Sequence, residues 1–370
     1  MKKCLLIAFA AIQLVSCSKD DAIKEPIKDE ILKGNVTSIG NQPSNKPVSN
    51  KNTPTVIDVF SRVTDIAIDQ NGDLYVADGN DKRIKKIRTS NGSNLVTNFA
   101  GSGSSGHADG TTTTAGFTFP KSLVFSKDYK TLYVSTWYYV RAINMETNEV
   151  TTIAGGGNSV DGIGTQASFT SNPFSLIINN AGTALYLTEN IIQIGSAHIK
   201  RVRRIDLATK EVKSIGFNNL TSTFNPGYMV VDSKDKYLYM ANRTMVLKIE
   251  LSTGKATTIA GNDSSGFVDG VGTAARFQAI GGLALSPNET YLYIANGSGE
   301  GVRCIRALNL DTKEVTTVTG YDENNNNIGL FADGDSKTAR FNDVYGMEYD
   351  KTTNTLYAAD PFNKAVRVIK

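Results

Sequence analysis

Residues able to carry catalytic chemistry are sparse in this chain of 370 residues. It has two histidines, His107 and His198, and neither an H-E-x-x-H segment nor a cysteine pair at the spacing of a zinc site. No G-x-S-x-G nucleophile segment is present. GSGSSG (101–106) matches G-x-G-x-x-G, but HADGTTTT follows it and does not open a helix whose N-terminus could bind phosphate. The sequence therefore predicts no catalytic residues, no nucleotide site and no cofactor.

One loop, 322–334, offers a set of possible calcium ligands. Its oxygen-bearing side chains loosely follow the spacing of an EF-hand loop. Asn327 stands where that loop needs glycine, and no helical pattern flanks it. We therefore expect a long polar connector and keep the loop only as a weak metal candidate. The residues concerned are Asp322, Asn324, Asn326 and Asp333.

Three adjacent aromatic residues, Trp137, Tyr138 and Tyr139, indicate recognition rather than catalysis. Trp137 is the only tryptophan of the chain. An aromatic ring combines a flat apolar surface with a polar edge, which suits the C–H face and hydroxyl rim of a sugar. Since alternate residues of a strand point to opposite faces, we expect one or two of these rings to be exposed. The alternative is that they only cover an interface between two sheets.

The elements that must position these rings are repeated along the chain. A Leu-Tyr pair recurs every 53 to 64 residues, six times in all. One apolar run precedes each pair and two generally follow, separated by turns rich in Gly, Asn and Asp. Six units of four short strands without a helical pattern predict an all-β fold, a six-bladed β-propeller of four-stranded antiparallel blades. The pairs lie at 74–75, 132–133, 185–186, 238–239, 292–293 and 356–357.

The two ends of the repeated region predict how the ring closes. The sixth unit stops at Lys370, after its third strand. TPTVIDVF (53–60) carries Val56 and Val59 at the spacing of Val150 and Ile153 in a complete unit. We expect the N-terminal strand 55–60 to complete the last blade by pairing antiparallel with 364–369, which would remove an open sheet edge.

A second repeated segment joins the units. At four Asp-Gly pairs a phenylalanine follows the Asp by eight residues. We interpret this as a rigid connector whose phenylalanine lies between adjacent blades, in preference to four carboxylates around a ligand. Basic runs on two third strands, 82–86 and 200–204, are expected to lie on a solvated outer face. The connector pairs are Asp109 and Phe117, Asp161 and Phe169, Asp269 and Phe277, and Asp333 and Phe341.

Alignment of the six first strands predicts which residues surround the axis. One aligned position holds Thr64, Lys121, Phe174, Gly227, Gly281 and Tyr345, and the next holds Asp65, Ser122, Ser175, Tyr228, Gly282 and Gly346. A single carboxylate among them disfavours a metal-dependent hydrolase at the axis. We expect the larger side chains to share one face with the three loop aromatics and to form a ligand-binding site. These candidates are Lys121, Phe174, Tyr228 and Tyr345.

The N-terminus has the form of an export signal. Lys2 and Lys3 precede an apolar run too short to span a bilayer, and LVSC (14–17) is similar to the lipobox of bacterial lipoproteins. This resemblance implies a signal peptide over 1–17 and lipidation of Cys17. SKDD (18–21) is similar to an acidic signal for display at the outer face of the outer membrane. We interpret 18–54 as a flexible tether and 55–370 as the propeller.

The repeated units resemble NHL repeats. The matching pieces are PKSLVF (120–125), LYVAD (74–78), IRAL (305–308) and VTTIAG (150–155), and the resemblance covers about 55–370. It is close to the lipoprotein propellers of bacterial glycan-utilisation systems. It implies a non-catalytic, surface-exposed lipoprotein of the outer membrane that binds a carbohydrate on the loop face of the propeller.

Two other functions stay open. NHL propellers often serve as protein-interaction platforms, which would make neighbouring outer-membrane proteins the partners. The fold also resembles that of gluconolactonase-like enzymes, which implies a metal-dependent lactonase or lyase as the less favoured alternative. The formal net charge is only +3, so we expect no nucleic-acid partner, and the membrane is reached through the lipid anchor.

Overall fold

The computed structural model describes residues 30–40, 59–89, 94–156, 160–169, 173–190, 200–218, 225–297, 301–321 and 331–370. These residues form 27 strands and two short 3₁₀ helices, Gly164–Gln166 and Gly272–Ala274. The strands belong to six separate antiparallel sheets of four or five strands. Among the described residues no helix has the length and apolar character required to cross a membrane.

The six sheets are the predicted blades, and all but the last are built in chain order from the axis outward. The inner strands are β2, β7, β12, β16, β21 and β25, and three two-residue strands, β6, β11 and β20, extend the outer edges of blades two, three and five. The bounds are β1 (Val36–Gly40), β2 (Val63–Ile68), β3 (Leu74–Asp78), β4 (Arg83–Arg88), β5 (Leu95–Ala100), β6 (Gly110–Thr111), β7 (Ser122–Phe125), β8 (Thr131–Ser135), β9 (Tyr139–Asn144), β10 (Glu149–Gly155), β11 (Gly162–Ile163), β12 (Phe174–Ile178), β13 (Ala184–Asn190), β14 (Lys200–Asp206), β15 (Glu211–Ile215), β16 (Pro226–Val231), β17 (Tyr237–Asn242), β18 (Met245–Glu250), β19 (Lys255–Gly261), β20 (Gly270–Val271), β21 (Ile280–Leu285), β22 (Tyr291–Asn296), β23 (Cys304–Asn309), β24 (Glu314–Thr319), β25 (Met347–Asp350), β26 (Thr355–Asp360) and β27 (Ala365–Ile369).

Each blade is buried on both faces because it is packed between two others. The second strand β3 is buried along its whole length, which explains why LYVAD lacks the polar alternation of a half-exposed strand. One apolar cluster joins Tyr75 of the first blade to Leu132 of the second, and comparable clusters lie between the other blades. The fold class predicted from the Leu-Tyr repeat, an all-β six-bladed propeller, is confirmed.

The prediction that residues 55–60 close the ring was wrong. β1 pairs antiparallel with β27, with Val36 opposite Ile369 and Gly40 opposite Ala365, so it occupies the place assigned to 55–60. Residues 55–58 lie outside the described residues, while Phe60 is fully buried beside β2. Residues 30–40 therefore belong to the propeller and not to the predicted tether over 18–54. The remainder of that tether and the signal peptide 1–17 lie outside the described residues.

The blade-to-blade connectors are structural, as expected. Phe117 and its three equivalents are no more than 1 % exposed, and each lies between two blades. An arginine of the third strand of the following blade stacks on each ring, at 4.5 to 5.5 Å from the ring centre. The same guanidinium binds the connector aspartate at 2.6 to 3.3 Å. The four arginines are Arg141, Arg203, Arg306 and Arg367.

Arg306 illustrates what the connector arginine does. Its guanidinium donates to the carbonyls of Val268 and Arg276 and to the carboxylate of Asp269. The connector is thus held to the blade at three points by one buried side chain. The predicted solvated outer face was accordingly wrong for two basic residues. Arg203 is fully buried against Glu189, and Lys85 is a largely buried partner of Asp78.

Loss of apolar contact at β1 tests the corrected closure. Ile39 is 7 % exposed and packs with Phe60, whereas Thr37, two residues earlier on the same side of the strand, is exposed. We expect Ile39→Ala to lower the free energy of unfolding by about 2–4 kcal/mol. Thr37→Ala should lower it by less than about 0.5 kcal/mol. Urea unfolding measures both, and equal losses in the two variants would contradict the assignment of β1.

Replacement of a connector arginine tests the second feature. Arg306→Met leaves two carbonyls without their donor and removes the positive charge beside Asp269, so we expect a loss of about 2–4 kcal/mol in the free energy of unfolding. Arg243→Met is the matched control, because Arg243 is exposed in a loop. Thermal and urea unfolding report the difference, and a stable Arg306→Met variant would show that Phe277 and the bonds from Thr317 to Asp269 are sufficient to hold the connector.

Candidate functional site

The axis is lined by the exposed edges of six strands. The inner strands lie side by side around it, each in contact with the next. Glycine permits the closest approaches: a Cβ at Gly346 would lie 1.7 Å from Oδ1 of Asp65, and one at Gly282 would lie 2.0 Å from the carbonyl oxygen of Tyr345. The glycines at these two aligned positions therefore serve packing, and the larger side chains of the other blades fill the space at the axis.

Side chains satisfy several N–H groups along these inner edges. Asp65 accepts from Ser122 Oγ at 2.5 Å and from the N–H of Leu123 at 2.9 Å. Ser122 Oγ in turn accepts from the N–H of Leu176, and Ser175 Oγ accepts from the N–H of Met229. This ladder joins the inner strands of blades one to four. The main role of the side chains at the aligned position of Asp65 is therefore to hydrogen-bond the inner strand of the next blade.

A cavity of about 220 Å³ follows the axis below this ladder. Asp65, Ser122, Ser175 and Tyr228 line one end, and residues of the turns between first and second strands line the other. Glu348 also reaches this cavity and was missed by the alignment, because it lies two residues beyond the aligned position. We call the propeller end formed by those turns the turn face, and the opposite end, with the connectors and the loops between second and third strands, the loop face.

Burial shifts the ionisation of the groups around the cavity. It raises the pKa of Asp65 to about 6, although the hydrogen bonds from Ser122 and Leu123 oppose the shift. Although the Glu348 side chain keeps an exposed surface, its partial desolvation in the cavity and the charge of Asp65 raise its pKa to about 7. Burial also raises the pKa of Tyr228 well above its usual value, so this phenol stays a neutral O–H group. The cavity thus holds weakly acidic carboxyl groups.

Two cations meet one aromatic ring on the loop face. Lys121 Nζ lies 4.4 Å from the centre of the Tyr345 ring. Arg62 Nη2 donates to the Tyr345 hydroxyl at 3.5 Å. Burial and, to a smaller extent, the positive charge of Arg62 together lower the pKa of Lys121 to about 8. Blades one, two and six therefore contribute one group each to a single polar centre near the axis.

Aromatic rings surround this centre. The Arg62 guanidinium lies 5.7 Å from the Phe119 ring centre and 5.1 Å from that of Phe362. Phe119 contacts Trp137 at 6.2 Å between ring centres, and Trp137 is 40 % exposed. Gly79 makes room for Phe119, since a Cβ there would lie 2.9 Å from its ring. We name Arg62, Lys121, Tyr345, Phe119, Phe362 and Trp137 the cation–aromatic cluster.

The remaining predicted residues lie near this cluster or at its edge. Tyr138 is half-buried and contacts Trp137 at 6.4 Å between ring centres. Tyr139 begins β9 and packs against His107 at 4.2 Å, so it faces the connector. Phe174 and Tyr228 contact each other at 6.0 Å on blades three and four. They form a second aromatic pair, and Tyr228 is close enough to Tyr345 and Arg62 to be influenced by both electrostatically.

Of the four residues in the weak metal candidate, only Asp333 lies within the described residues, and its contacts do not support a metal site. Asp322, Asn324 and Asn326 lie outside the described residues. Asp333 accepts from Ser38 at 2.6 Å and pairs with Arg367 at 3.3 Å, which makes it a connector residue. Within the described ranges no group of three or more His, Cys, Asp or Glu side chains has a metal-binding arrangement.

Sequence reasoning missed Arg62, Phe119 and Phe362. Each lies outside the strand repeats on which the alignment was based. Phe119 had a signal, since it follows the connector anchor Phe117 by two residues in GFTFP. Arg62 and Phe362 lie in loops without a repeated pattern, so only the fold brings them together.

The comparisons with known proteins agree with the repeat. The NHL repeat family matches residues 60–87, which confirms the resemblance to NHL propellers. NHL repeat-containing protein 2 from Gallus gallus is 22 % identical over 342 residues, which cover 82 % of this chain and 46 % of that protein. Protein SUPPRESSOR OF QUENCHING 1, chloroplastic, from Arabidopsis thaliana is 26 % identical over 299 residues, which cover 74 % of this chain and 27 % of that protein. The chain spans less than half the length of these curated relatives.

Solved structures share the fold. A protein of unknown function from Bacteroides thetaiotaomicron aligns with a TM-score of 0.66 at 20 % identity, covering 90 % of this chain and 75 % of that one. An auxiliary nutrient binding protein from Bacteroides ovatus aligns with a TM-score of 0.65 at 16 % identity, covering 92 % and 77 %. A gluconolactonase from Xanthomonas campestris aligns with a TM-score of 0.53 at 10 % identity, covering 84 % and 87 %. At these identities the likeness concerns the fold alone.

The buried carboxyl group of Asp65 predicts an unusual pH dependence. Because its pKa is higher in the folded chain than in the unfolded one, ionisation costs stability as pH rises from about 4 to about 6. Asp65→Asn removes that cost, and we expect it to raise the free energy of unfolding at pH 7.5 by about 1–3 kcal/mol relative to the native chain. The gain should vanish near pH 4.

Urea unfolding at the two pH values measures this difference. Asp128→Asn is the control of opposite sign, because hydrogen bonds from Ser126 and the N–H of Lys130 lower the pKa of the exposed Asp128. Its replacement should remove stability at neutral pH. An Asp65→Asn variant that loses stability at pH 7.5 would mean that the hydrogen bonds outweigh the burial of charge.

Proposed function

We propose that this chain is a non-catalytic binding propeller that holds a carbohydrate on its loop face, at the cation–aromatic cluster. The observation that carries the proposal is the exposed Trp137 ring, placed at the edge of a polar centre built by three blades. A sugar stacked on Trp137 would direct its hydroxyl rim toward Tyr345, Lys121 and Arg62. Aromatic and cationic groups in this arrangement match the apolar face and polar rim of one ligand.

The chemistry of the cluster supports binding rather than catalysis. Burial raises the pKa of the Tyr345 phenol, so its phenolate form is scarce at neutral pH. Asp65, below the cluster, is 7 % exposed and is engaged by Ser122 and Leu123. A general base must reach the proton that it removes, and neither group meets that condition well. The nutrient-binding propeller from Bacteroides ovatus has a similar fold, which is consistent with a binding role.

The proposed location follows from the N-terminal sequence. Lipidation of Cys17 would anchor the chain in the outer membrane, and SKDD (18–21) would direct it to the cell surface. A propeller in that position would meet glycans before they are imported. Neighbouring outer-membrane proteins would then be its partners for transfer of the ligand.

A second function, a protein-interaction platform, has one observation in its favour. Aliphatic side chains are at least half exposed on two connectors, at equivalent positions around the Asp-Gly pair. Exposed aliphatic pairs repeated on one rim would suit contact with another protein. They are Val160 and Ile163 before blade three, and Val268 and Val271 before blade five.

Removal of the exposed ring tests the carbohydrate proposal. We expect the native chain to bind a subset of a glycan array, and Trp137→Ala to raise the dissociation constant for those glycans at least tenfold, which corresponds to about 1.4 kcal/mol of lost stacking. Tyr129→Ala is the matched control, since Tyr129 is an exposed aromatic residue in a turn on the turn face. Its dissociation constants should not change.

Titration calorimetry of the best glycans gives the constants. Unaltered affinity in Trp137→Ala would contradict the proposed site. Absence of binding to any glycan, together with a stable complex with a membrane protein, would favour the interaction platform instead.

A further inference from the structure

We infer that the ligand of the cation–aromatic cluster is an acidic sugar, with its carboxylate bound between Arg62 and Lys121. This inference rests on the proposed carbohydrate function and specifies the class of carbohydrate. A uronate ring has both parts that the cluster calls for: a face of C–H groups for the aromatic rings and a carboxylate for the cations.

Arg62 differs from the arginines that hold the connectors. Those four are fully buried, and each binds a carboxylate directly. Within the described residues the Arg62 guanidinium has a single hydrogen bond, to the neutral Tyr345 hydroxyl at 3.5 Å. Its Nε is buried and has no hydrogen-bond partner in the described part of the chain. A guanidinium has five N–H donors. Because the Nε–H is buried, the terminal Nη groups are the donors that remain for a ligand.

Among the residues that the structure describes, Lys121, like Arg62, lacks an acidic partner in direct contact. Its ammonium lies on the Tyr345 ring, and within the described residues neither Lys121 nor Arg62 forms an ion pair with a carboxylate. The carboxylates that influence Lys121 are themselves buried. Asp65 and Asp343 influence Lys121 electrostatically, but they are 7 % and 2 % exposed. The side of the cluster that a ligand can reach is therefore cationic.

The aromatic neighbours determine what kind of anion fits. Phe119 and Phe362 lie against the Arg62 guanidinium, and Trp137 extends the apolar surface beyond Phe119. A small inorganic anion would use the cations and leave these rings in water. A neutral sugar would use the rings and leave two cations without a partner. A sugar acid uses both, and a planar carboxylate matches the paired donors of a guanidinium.

The protonation of Lys121 supplies an independent readout. Burial places its pKa at about 8, so near pH 8 a large fraction of the free protein carries a neutral amine. A bound carboxylate favours the ammonium form, so binding at that pH takes up a proton. The affinity for an acidic sugar should fall as pH rises through 8, whereas binding of a neutral sugar should be coupled much less to protons.

Ligand pairs that differ only in charge test the inference. The probes are an oligogalacturonate and its methyl ester, which removes the negative charge and keeps the ring, with a sulfated galactan oligosaccharide as a third arm. We expect the full-length chain to bind the free acid at least tenfold more tightly than the ester. Calorimetry at pH 8 in buffers of different ionisation enthalpy should report net proton uptake with the acid. Tighter binding of the sulfated probe would assign the site to sulfate and overturn the carboxylate assignment.

Two variants locate the effect. Arg62→Gln and Lys121→Met should each bring the free acid to within about threefold of the ester, and Lys121→Met should abolish the proton uptake. Lys127→Met is the matched control, since Lys127 lies on the turn face, and it should keep the native preference. Near-UV circular dichroism and thermal unfolding check that each variant is folded, and the ligand comparison on the native chain holds even if one is not.

The outcomes separate the two proposals. Equal binding of acid and ester by the native chain, with weaker binding of both in Trp137→Ala, would overturn the acidic-sugar inference and leave the carbohydrate proposal in place. A preference for the acid that persists in both Arg62→Gln and Lys121→Met would also overturn it. Failure of every saccharide to bind would remove the carbohydrate proposal itself.

Discussion

Contact between neighbouring blades is the constraint on which the rest of this structure depends. Each blade is a small sheet that is apolar on both faces, so it is stable only between two others. The ring makes this possible once β1 completes the last blade. The connectors then hold the blades in place. A buried phenylalanine packs between two sheets, and an arginine of the next blade donates hydrogen bonds to two carbonyls of the connector. Blade four, with Leu247 where the connector arginine would be, relies on apolar contact instead.

Closure also explains why the loop face is free to vary. The connectors and the inner-strand ladder satisfy the backbone and fix the blades, so the loops between second and third strands need not contribute to the core. Trp137 and Phe362 lie in two such loops and are exposed. Arg62 and Phe119 lie at the ends of connectors, where the rigid part of each blade begins. The cluster therefore joins variable loop residues to well-fixed ones, an arrangement that favours a preorganised binding surface.

The sequence carried most of the fold but only part of the site. The Leu-Tyr repeat predicted six blades because each blade must bury the same second strand. Closure was misassigned although VTSIG (36–40) repeats the fourth-strand pattern of VKSIG (212–216), and Ser38 even binds Asp333 as Ser214 binds Asp161. A long separation from the other repeats hid that match. Lys121 and Tyr345 were predicted from strand alignment, whereas Arg62 and Phe362 meet them only through the geometry of closure, which no local pattern records.

Asp65, which lines the axial cavity, influences the charge of the cation–aromatic cluster on the loop face. This coupling affects how strongly the loop face would attract an anion at different pH values. Asp65 lies beneath Lys121 and helps to keep it charged. Since the pKa of Asp65 is about 6, its carboxylate is ionised at neutral pH and protonated in more acidic surroundings. Protonation removes one of the negative charges that act on Lys121, while Lys121, with a pKa of about 8, keeps its proton. The cationic character of the loop face therefore increases as pH falls below 6. A site for anions on this face would retain its attraction in mildly acidic media, provided that the ligand carboxylate itself stays ionised.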